Sequence, residues 1–522
     1  MTSAQRHSPF LRRRYRAIIG YAGLLCLVAS LLLLAPLPLL LFYREEARTV
    51  LGFLVPGLLL GAPGLWLWRR LTPRPAVSLT RQEGAVIVVL VWLLVIVVGA
   101  VPFVAVSHLR FSHALFESTS GWTTAGLSVL DVTRASPLIL FYRSVIQLAG
   151  GAGLAIIMLS ALAGPVGPGL SVAEGRGEQL LPHVRRSAKL VLTLYAGYVA
   201  VGILALRVVG MGWFDAVNHA FSALSTGGFS THSDSIAHWN SAAIEAVIIV
   251  LMLLGTVNFF TAYTLLRGRL RAVARNSEVR QTLLFLVVGA AILYIGVTAS
   301  LYPTLGGSMR VAVFNTVSTL STTGFATADY GQWNGLGWLV LLCLMLVGGG
   351  TGSTAGAIKQ YRVYVLYRGL VWEVRRRLLP RRAVTEPDIW QGEQRRFLTD
   401  RHIRQVALFV FLYGAFWLAG SGVIAAHGYS MQDSLFECAS ALGTVGISVG
   451  VTSAGAPPGV LWVEMVAMLL GRLEFLTVVV GVVRLVTDLP VLLSSLPALP
   501  GIRVGREEAA YDGNDVFQPE DQ

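Results

Sequence analysis

Four stretches of the chain place a threonine two residues before a glycine, each after a short amphipathic run. They are Ser120-Gly121-Trp122-Thr123-Thr124-Ala125-Gly126, Ala223-Leu224-Ser225-Thr226-Gly227-Gly228, Thr319-Leu320-Ser321-Thr322-Thr323-Gly324 and Ala441-Leu442-Gly443-Thr444-Val445-Gly446. The glycines lie about 100 residues apart, and each copy falls between two long apolar segments. A motif repeated at such a period implies copies of one supersecondary unit. Here that unit is helix–loop–helix, four times around a shared axis, where short loops can offer backbone carbonyls to a dehydrated cation.

Composition excludes a soluble protein. Hydrophobic residues make up 54% and charged residues 13%, with a mean hydropathy of +0.65, far from globular averages. About a dozen apolar segments can be drawn, clearest at 17–43, 51–68, 85–106, 137–162, 190–209, 242–266, 283–301, 336–347, 406–426 and 460–486. Several exceed the roughly 20 residues needed to cross a bilayer. The first is too long for a signal-peptide core and has no small-residue cleavage site behind it, so it is expected to remain as a span.

The net charge of +13 would suit nucleic-acid binding but for its placement. Arg12, Arg13, Arg14 and Arg16 precede the first span, and Arg69, Arg70, Arg74 and Arg81 follow the second. Arg185, Arg186 and Lys189 follow the fourth, and Arg267, Arg269, Arg271, Arg275 and Arg280 the sixth. Arg375, Arg376, Arg377, Arg381, Arg382, Arg395 and Arg396 follow the eighth. Every second connection is basic and hence cytoplasmic by the positive-inside rule, as is the N-terminus. The alternate, near-neutral connections contain the four motif loops, which are therefore expected to open to one outer face. Cys26, Cys343 and Cys438 are scattered without Cys-x-x-Cys spacing, so neither a metal site nor a disulfide framework is supported. His108, His113, His232 and His238 are expected to decorate the outer interface.

The expected fold is all-α and transmembrane, with two leading spans over 15–72 and units at 80–165, 187–270, 279–370 and 401–490. A basic cytoplasmic linker covers 371–400, and a polar cytoplasmic tail covers 491–522. Each unit runs span, short pore-type helix, motif loop, span. Ser112, Asp215 and Asp433 are expected to cap three of the short helices. A helix of about ten residues cannot span, so it must enter and return on one side. Backbone polar groups at that depth are tolerable only where they line a water- or ion-filled cavity. Thr124, Thr226, Thr322 and Thr444 would form one ring of carbonyls and hydroxyls, Ala125, Gly227, Thr323 and Val445 the next, and Gly126, Gly228, Gly324 and Gly446 a third. Glycine allows the unusual backbone that such rings need.

These loops, with Phe116-Glu117-Ser118 in the first short helix and Gln147-Leu148-Ala149-Gly150-Gly151-Ala152-Gly153 in the following span, resemble the Trk/Ktr/HKT superfamily of potassium transporters. The two leading spans resemble the TrkH-type membrane subunit, and the resemblance covers roughly residues 15–490. It implies a K⁺ filter made of the three rings, a homodimer with one pore per chain, and residence in a bacterial plasma (inner) membrane. It also implies docking of cytoplasmic nucleotide-binding regulatory subunits of the TrkA type. In the family, serine in place of the first filter glycine accompanies Na⁺ permeation. Gly126 stands there, which implies K⁺ preference. Ala125 departs from the more usual threonine. The alternative is a Na⁺-permeable or poorly selective transporter of the same architecture.

Gly348-Gly349-Gly350-Thr351-Gly352-Ser353-Thr354-Ala355-Gly356 interrupts the second span of the third unit. Glycine costs about 1 kcal/mol per helical position against alanine. No Gly-x-x-x-x-Gly-Lys-Ser/Thr sequence is present, so nucleotide binding is not expected there. The resemblance makes Gly348, Gly349, Gly350, Thr351 and Gly352 a gate beneath the filter, with Arg472 as a second barrier. An arginine within an apolar span needs a polar interior and a partner. About ten apolar residues follow it before Arg484, so Arg472 is not expected at a helix end, and Glu474 need not pair with it. Asn258 is expected to hydrogen-bond between helices. No cluster of intramembrane carboxylates resembling a proton relay is evident. No dinucleotide fingerprint, His/Glu ligand spacing or Gly-x-Ser-x-Gly elbow occurs, which argues against a bound cofactor and against an enzyme. Anionic lipid headgroups are the simplest partners for the exposed arginines, and nucleic acid is not expected to bind.

Overall fold

A long apolar run in lipid can pair its backbone only within itself, as helix, and the computed structural model follows that rule over residues 3–73, 79–153, 184–380, 386–391 and 394–494. The expected end of the first unit (154–165) and most of the polar tail lie outside these described residues. Among the described residues, Leu11–Leu41, Arg44–Leu71, Gln82–Ala105, Ala188–Val208, Ser277–Leu301 and Asp400–Ala426 are helical segments long and apolar enough to cross a membrane.

Helices α1 (Ser3–Leu34) and α2 (Val50–Leu71) are joined by two 3-10 turns, Leu37–Leu41 and Arg44–Thr49. They touch backbone to backbone. A Cβ on Gly23 would lie 2.7 Å from the Gly64 carbonyl oxygen, and one on Gly64 equally close to that of Gly23. Small residues permit this approach between apolar helices, where no hydrophobic effect drives association in lipid. The Ser30 hydroxyl adds a 2.7 Å bond to the Gly57 carbonyl. Helix α3 (Arg81–Gly99) starts with a capping box between Thr80 and Glu83. The Glu83 carboxylate also receives Arg14, tying α1 to α3.

Four short helices follow the long ones: α4 (Phe111–Thr123), α7 (Trp213–Leu224), α11 (Leu305–Leu320) and α15 (Met431–Gly443). At 12 to 16 residues and about 1.5 Å of rise each, none can span. Their starts differ from the expected caps. Ser112 lies inside α4, and Asp215 and Asp433 lie at the third positions of α7 and α15. Ser430 caps α15, accepting from the Asp433 N–H, and Thr304 caps α11. The helices begin two or three residues earlier than those caps would place them.

The helices that return from the loops are α5 (Pro137–Ala152), α8 (Ala242–Thr256), α12 (Gly335–Val347) and α16 (Pro458–Leu473). The expected straight spans at 242–266 and 460–486 are instead broken. Helix α9 (Phe259–Leu266) turns 114° from α8, and α17 (Phe475–Ser494) turns 102° from α16. The first break is capped by Asn258, which accepts from the Phe260 N–H. At the second, Glu474 takes a left-handed backbone with φ of 65°.

Apart from short turns, the remaining helices are α6 (Val184–Val208), α10 (Ser277–Leu293), α13 (Gln360–Leu378) and α14 (Asp400–Ala426). Between α13 and α14 a hairpin pairs β1 (Asp388–Gln391) antiparallel to β2 (Gln394–Phe397). Ile389 closes a small apolar cluster with Tyr361, Val365, Leu398 and Val406. Asp388 takes Arg395 at 2.6 Å and Arg368 at 3.1 Å. Its carboxyl is held below the usual range, chiefly by the Arg395 hydrogen bond. A lowered carboxyl stabilises the fold above its unfolded pKa, so this contribution fades as the pH falls through the folded value.

Gly64→Ala is expected to lower the thermal midpoint of the detergent-solubilised protein, because forcing a methyl into a filled contact costs about 1–3 kcal/mol. Gly422→Ala, where the added methyl meets nothing within 4 Å, serves as the comparison and should leave the midpoint in place.

Candidate functional site

Each short helix ends the same way. Thr124, Thr226, Thr322 and Thr444 have φ of 57°, 52°, 58° and 50°, all in the left-handed region. Their N–H groups bond the carbonyls of Gly121, Ala223, Thr319 and Ala441. The next N–H groups, of Ala125, Gly227, Thr323 and Val445, reach back to Ser120, Ser222, Ser318 and Ser440, each at 2.9 Å. This is a Schellman ending, whose left-handed position is usually glycine. A β-branched residue there costs about 1–2 kcal/mol, and such strain persists only where the surroundings over-determine it.

The surroundings here are the neighbouring loops. A methyl on Gly126 would strike the Gly227 carbonyl, one on Gly228 that of Thr323, one on Gly324 that of Val445, and one on Gly446 that of Ala125. Those contacts close a circle through all four loops in chain order. The structure thus brings together the twelve expected loop residues. The hydroxyls are less regular than a single ring. Thr226 donates to the Ser225 carbonyl, and Thr322 accepts from the Gly356 N–H. Those of Thr124 and Thr444 are buried without a protein partner among the described residues. A cavity of about 640 Å³ opens on one side of the circle, lined by all four glycines together with Ser128, Ser230, Asp131 and Asp329.

Residues to which the sequence reading gave no bracing role hold the circle in place. Seven positions before each threonine stand Glu117, His219, Asn315 and Glu437. Each braces the chain leaving its own loop. Glu117 accepts from the Val129 N–H at 2.6 Å and the Ser128 hydroxyl at 2.6 Å. His219 meets the Ser230 hydroxyl at 3.0 Å, and Asn315 donates to the Thr327 hydroxyl at 3.1 Å. Glu437 accepts from Ser448 at 2.7 Å and from the Val449 N–H at 3.1 Å. Gln147, on α5, donates to the Gly227 carbonyl at 2.6 Å and accepts from Ser222 and the Phe229 N–H. The signals were there: a polar residue at that fixed offset, and a serine four residues before every threonine.

The chain leaves helix at Val347 and re-enters at Gln360. Between them the glycine-rich segment lies against the threonine side of the circle. Thr354 donates to the Gly255 carbonyl at 2.9 Å and is 3.1 Å from that of Leu224, while Gly356 N–H meets Thr322 at 3.0 Å. Gly350 N–H bonds Thr256, Thr351 N–H bonds Glu278 at 2.8 Å, and Asn258 donates to the Thr351 carbonyl at 2.6 Å. Asn258 therefore holds this loop as well as capping α9. Gly348 and Gly352 have φ of 68° and 73°, and the Gly349 carbonyl accepts from the Gln360 N–H.

Arg472 stands in the last turn of α16, not in the middle of a continuous helix as expected, because the chain turns at Glu474. Its guanidinium donates to the Thr354 carbonyl at 2.6 Å and to the carbonyls of Gly150 and Gly151. The latter two belong to the last turn of α5, where carbonyls lack helical partners and the dipole favours a cation. Glu474 pairs instead with Arg362 at 2.7 Å and Lys359 at 3.3 Å.

On the cavity side, His232 and His238 stack with centroids 3.7 Å apart, edge-on to Trp239. Burial, and then the neighbouring His238, lower the pKa of His232. His113 is buried and bonds the Ala454 carbonyl. Packing rather than interfacial decoration explains His113, whereas His238 is exposed and His232 lines the cavity.

Long apolar helices, two of the spans sharply broken, around a closed circle of glycine loops define an integral membrane protein. The chain belongs to the TrkH family, described as cation transport protein, whose model matches residues 64–488. The Trk system potassium uptake protein TrkH of Halomonas elongata is 32% identical, over 89% of this chain and 98% of that one. Trk system potassium uptake protein TrkG of Escherichia coli is 31% identical, over 89% and 97%. The crystal structure of the potassium transporter TrkH from Vibrio parahaemolyticus matches with a TM-score of 0.79 at 27% identity, covering 89% of this chain and 98% of that one.

Gln147→Ala strands the buried Phe229 N–H and the Gly227 carbonyl, a loss of about 1–3 kcal/mol for an unsatisfied group. Deuterium exchange over 225–230 is expected to speed up relative to the parent, with the other three loops unaffected.

Proposed function

We propose that this chain is the K⁺-translocating subunit of a Trk-type uptake system in a bacterial plasma (inner) membrane, with its N-terminus in the cytoplasm. The fold is then four span–pore-helix–span units around one pore behind two leading helices. The observation that carries the proposal is the closed circle of contacts from each loop glycine to the carbonyl of the next loop. Four carbonyl-bearing loops held at that distance can replace the water around a cation at successive steps without trapping it. The rings are Thr124, Thr226, Thr322 and Thr444; Ala125, Gly227, Thr323 and Val445; and Gly126, Gly228, Gly324 and Gly446. K⁺ is the cargo, and the relatives named for potassium uptake favour it over Na⁺.

Gly348, Gly349, Gly350, Thr351 and Gly352, with Arg472, form the gate in this proposal. Hydrogen bonds from the segment to Thr322 and to the carbonyls behind Thr226 support an obstructing position. A guanidinium beside it raises the barrier to a cation in the resting state. The chain is proposed to form a homodimer and to dock TrkA-type nucleotide-binding subunits on its basic face, where anionic lipids also bind.

Rubidium uptake into cells lacking other K⁺ uptake, with Na⁺ as competitor, tests the function. The parent should support uptake that Na⁺ does not displace; no uptake in the presence of a regulatory subunit refutes the proposal. Gly126→Ser sets a side chain on a left-handed residue against the Gly227 carbonyl. It should cut K⁺ preference over Na⁺ several-fold, and an unchanged ratio removes the first loop from the filter. Arg472→Ala should raise basal flux several-fold in proteoliposomes without regulatory subunits. Unchanged flux reduces Arg472 to a structural staple.

A further inference from the structure

Glu117 and Glu437 occupy matching places before the first and fourth loops, and so do Arg143 and Glu464 on the returning helices. The last two each stand seven residues before a glycine, Gly150 or Gly471, packed under its own loop. In the first unit the carboxylate is balanced: Glu117 meets Arg143 at 3.3 Å, both side chains almost fully buried. In the fourth, the arginine is replaced by a second carboxylate. Glu437 and Glu464 are both 0% exposed, and they meet at one hydroxyl, that of Thr452, which lies 3.1 Å from each oxygen of Glu464. This is a buried carboxylate pair that was not evident from sequence.

The hydrogens can be counted. Glu437 receives the Ser448 hydroxyl at 2.7 Å, the Val449 N–H at 3.1 Å, the Thr452 N–H at 3.0 Å and the Thr452 hydroxyl. That is the setting of an ionised carboxylate. Among the described residues Glu464 has only the Thr452 oxygen as a partner. A hydroxyl donates one hydrogen. If it goes to Glu437, Glu464 must itself carry a proton and donate to Thr452. Two ionised carboxylates cannot share so small a buried space at tolerable cost.

No ion pair reaches either carboxylate among the described residues. On α15, Cys438 is buried beside them and Asp433 is exposed in the first turn. On α4, Glu117 is spent on Arg143, and His113 is bonded to the Ala454 carbonyl. On α14, Tyr413 is uncharged, and His427 bonds the Val423 carbonyl of its own helix. Arg472 and Glu474 sit at the far end of α16, engaged with the glycine-rich segment and with Lys359 and Arg362. None supplies a counter-charge.

We propose that Glu464, Thr452 and Glu437 form a proton-binding site behind the fourth loop, holding one proton in the order Glu464 carboxyl to Thr452 hydroxyl to Glu437 carboxylate. Loss of that proton leaves two negative charges on one hydroxyl and loosens the grip of Glu437 on Ser448, Val449 and Thr452, the segment that leaves Gly446. Transport therefore falls as the site deprotonates on the alkaline side. That consequence rests on the proposed ion filter; the proton site does not.

Infrared difference spectroscopy of the full chain in lipid at neutral pH reads the proton directly. The parent should show the carbonyl stretch of a protonated carboxyl, sensitive to deuterium, which is lost in Glu464→Gln and shifted in Thr452→Val. If the parent lacks the band, both groups are ionised, with a bound monovalent cation as the remaining counter-charge, and the site is refuted. A band that persists in Glu464→Gln refutes the assignment. In rubidium flux from mildly acidic to alkaline pH, the parent should lose flux several-fold while Glu464→Gln, which mimics the protonated acid, becomes pH-independent. A Gln variant that keeps the parental profile overturns the control role. Absence of flux in every protein with the infrared band present overturns the filter and leaves the proton site standing.

Discussion

The approach of one loop's glycine to the next loop's carbonyl is the contact on which the other features converge. Neighbouring backbones can come this close only without a Cβ between them, and only if each loop turns sharply at the threonine before. The left-handed threonines supply that turn at about 1–2 kcal/mol each. The Schellman bonds to Ser120, Ser222, Ser318 and Ser440 hold it from within the short helix. From behind, Gly150, Gly255 and Gly471 pack against the carbonyls of Trp122, Leu224 and Leu442, where a methyl would collide. The short helices are thus gripped at their C-terminal ends, which explains why their N-terminal starts vary and two lack a side-chain cap.

Around this common frame the four units are not equal. The bracing position is a carboxylate twice, a histidine once and an amide once. The residue facing it from the returning helix is Arg143 in the first unit and Glu464 in the fourth, while Ile248 and Leu341 hold the same offset in the second and third. At these matched positions buried charge therefore lies only in the first and fourth units. The third unit differs again, sending its returning chain under the threonines as an irregular segment. In the proposed pathway, the ionisable groups at these positions and the irregular segment thus lie on particular sides, and control would act through those asymmetric parts.

Much of the arrangement was legible in the chain. The period of the Thr-x-Gly loops, the apolar runs between them and the glycine-rich interruption are local patterns, and local patterns survive folding. The missed features are contacts between distant positions. Nothing near Arg472 in sequence announces that its partners are Gly150, Gly151 and Thr354, and the apolar residues after it gave no sign of a 102° turn. The cap residues were misplaced because Ser112, Asp215 and Asp433 are good caps by type, whereas the helices start at Phe111, Trp213 and Met431, the last capped by Ser430. The Glu437–Glu464 pair was invisible for the same reason: 27 residues and a loop separate two carboxylates that meet only in space.

The break between α16 and α17 joins these distant contacts into one unit. Arg472, just before it, holds the middle of the glycine-rich segment at Thr354; Glu474, just after it, holds the segment's end at Lys359 and the next turn at Arg362. Hydrogen bonds to charged groups are worth about 1.5–3 kcal/mol each, and Arg362 also lies over the Phe409 ring at 3.8 Å. The segment cannot withdraw from Thr322 and Gly255 alone. Either those charged contacts break, leaving buried groups unpaired, or α17 and the start of α13 move with it. The second course keeps every charge partnered, and α13 runs directly into the basic helix end and hairpin. A force applied to that hairpin would thus reach the threonine circle through α13, Glu474 and Arg472 without any charge losing its partner.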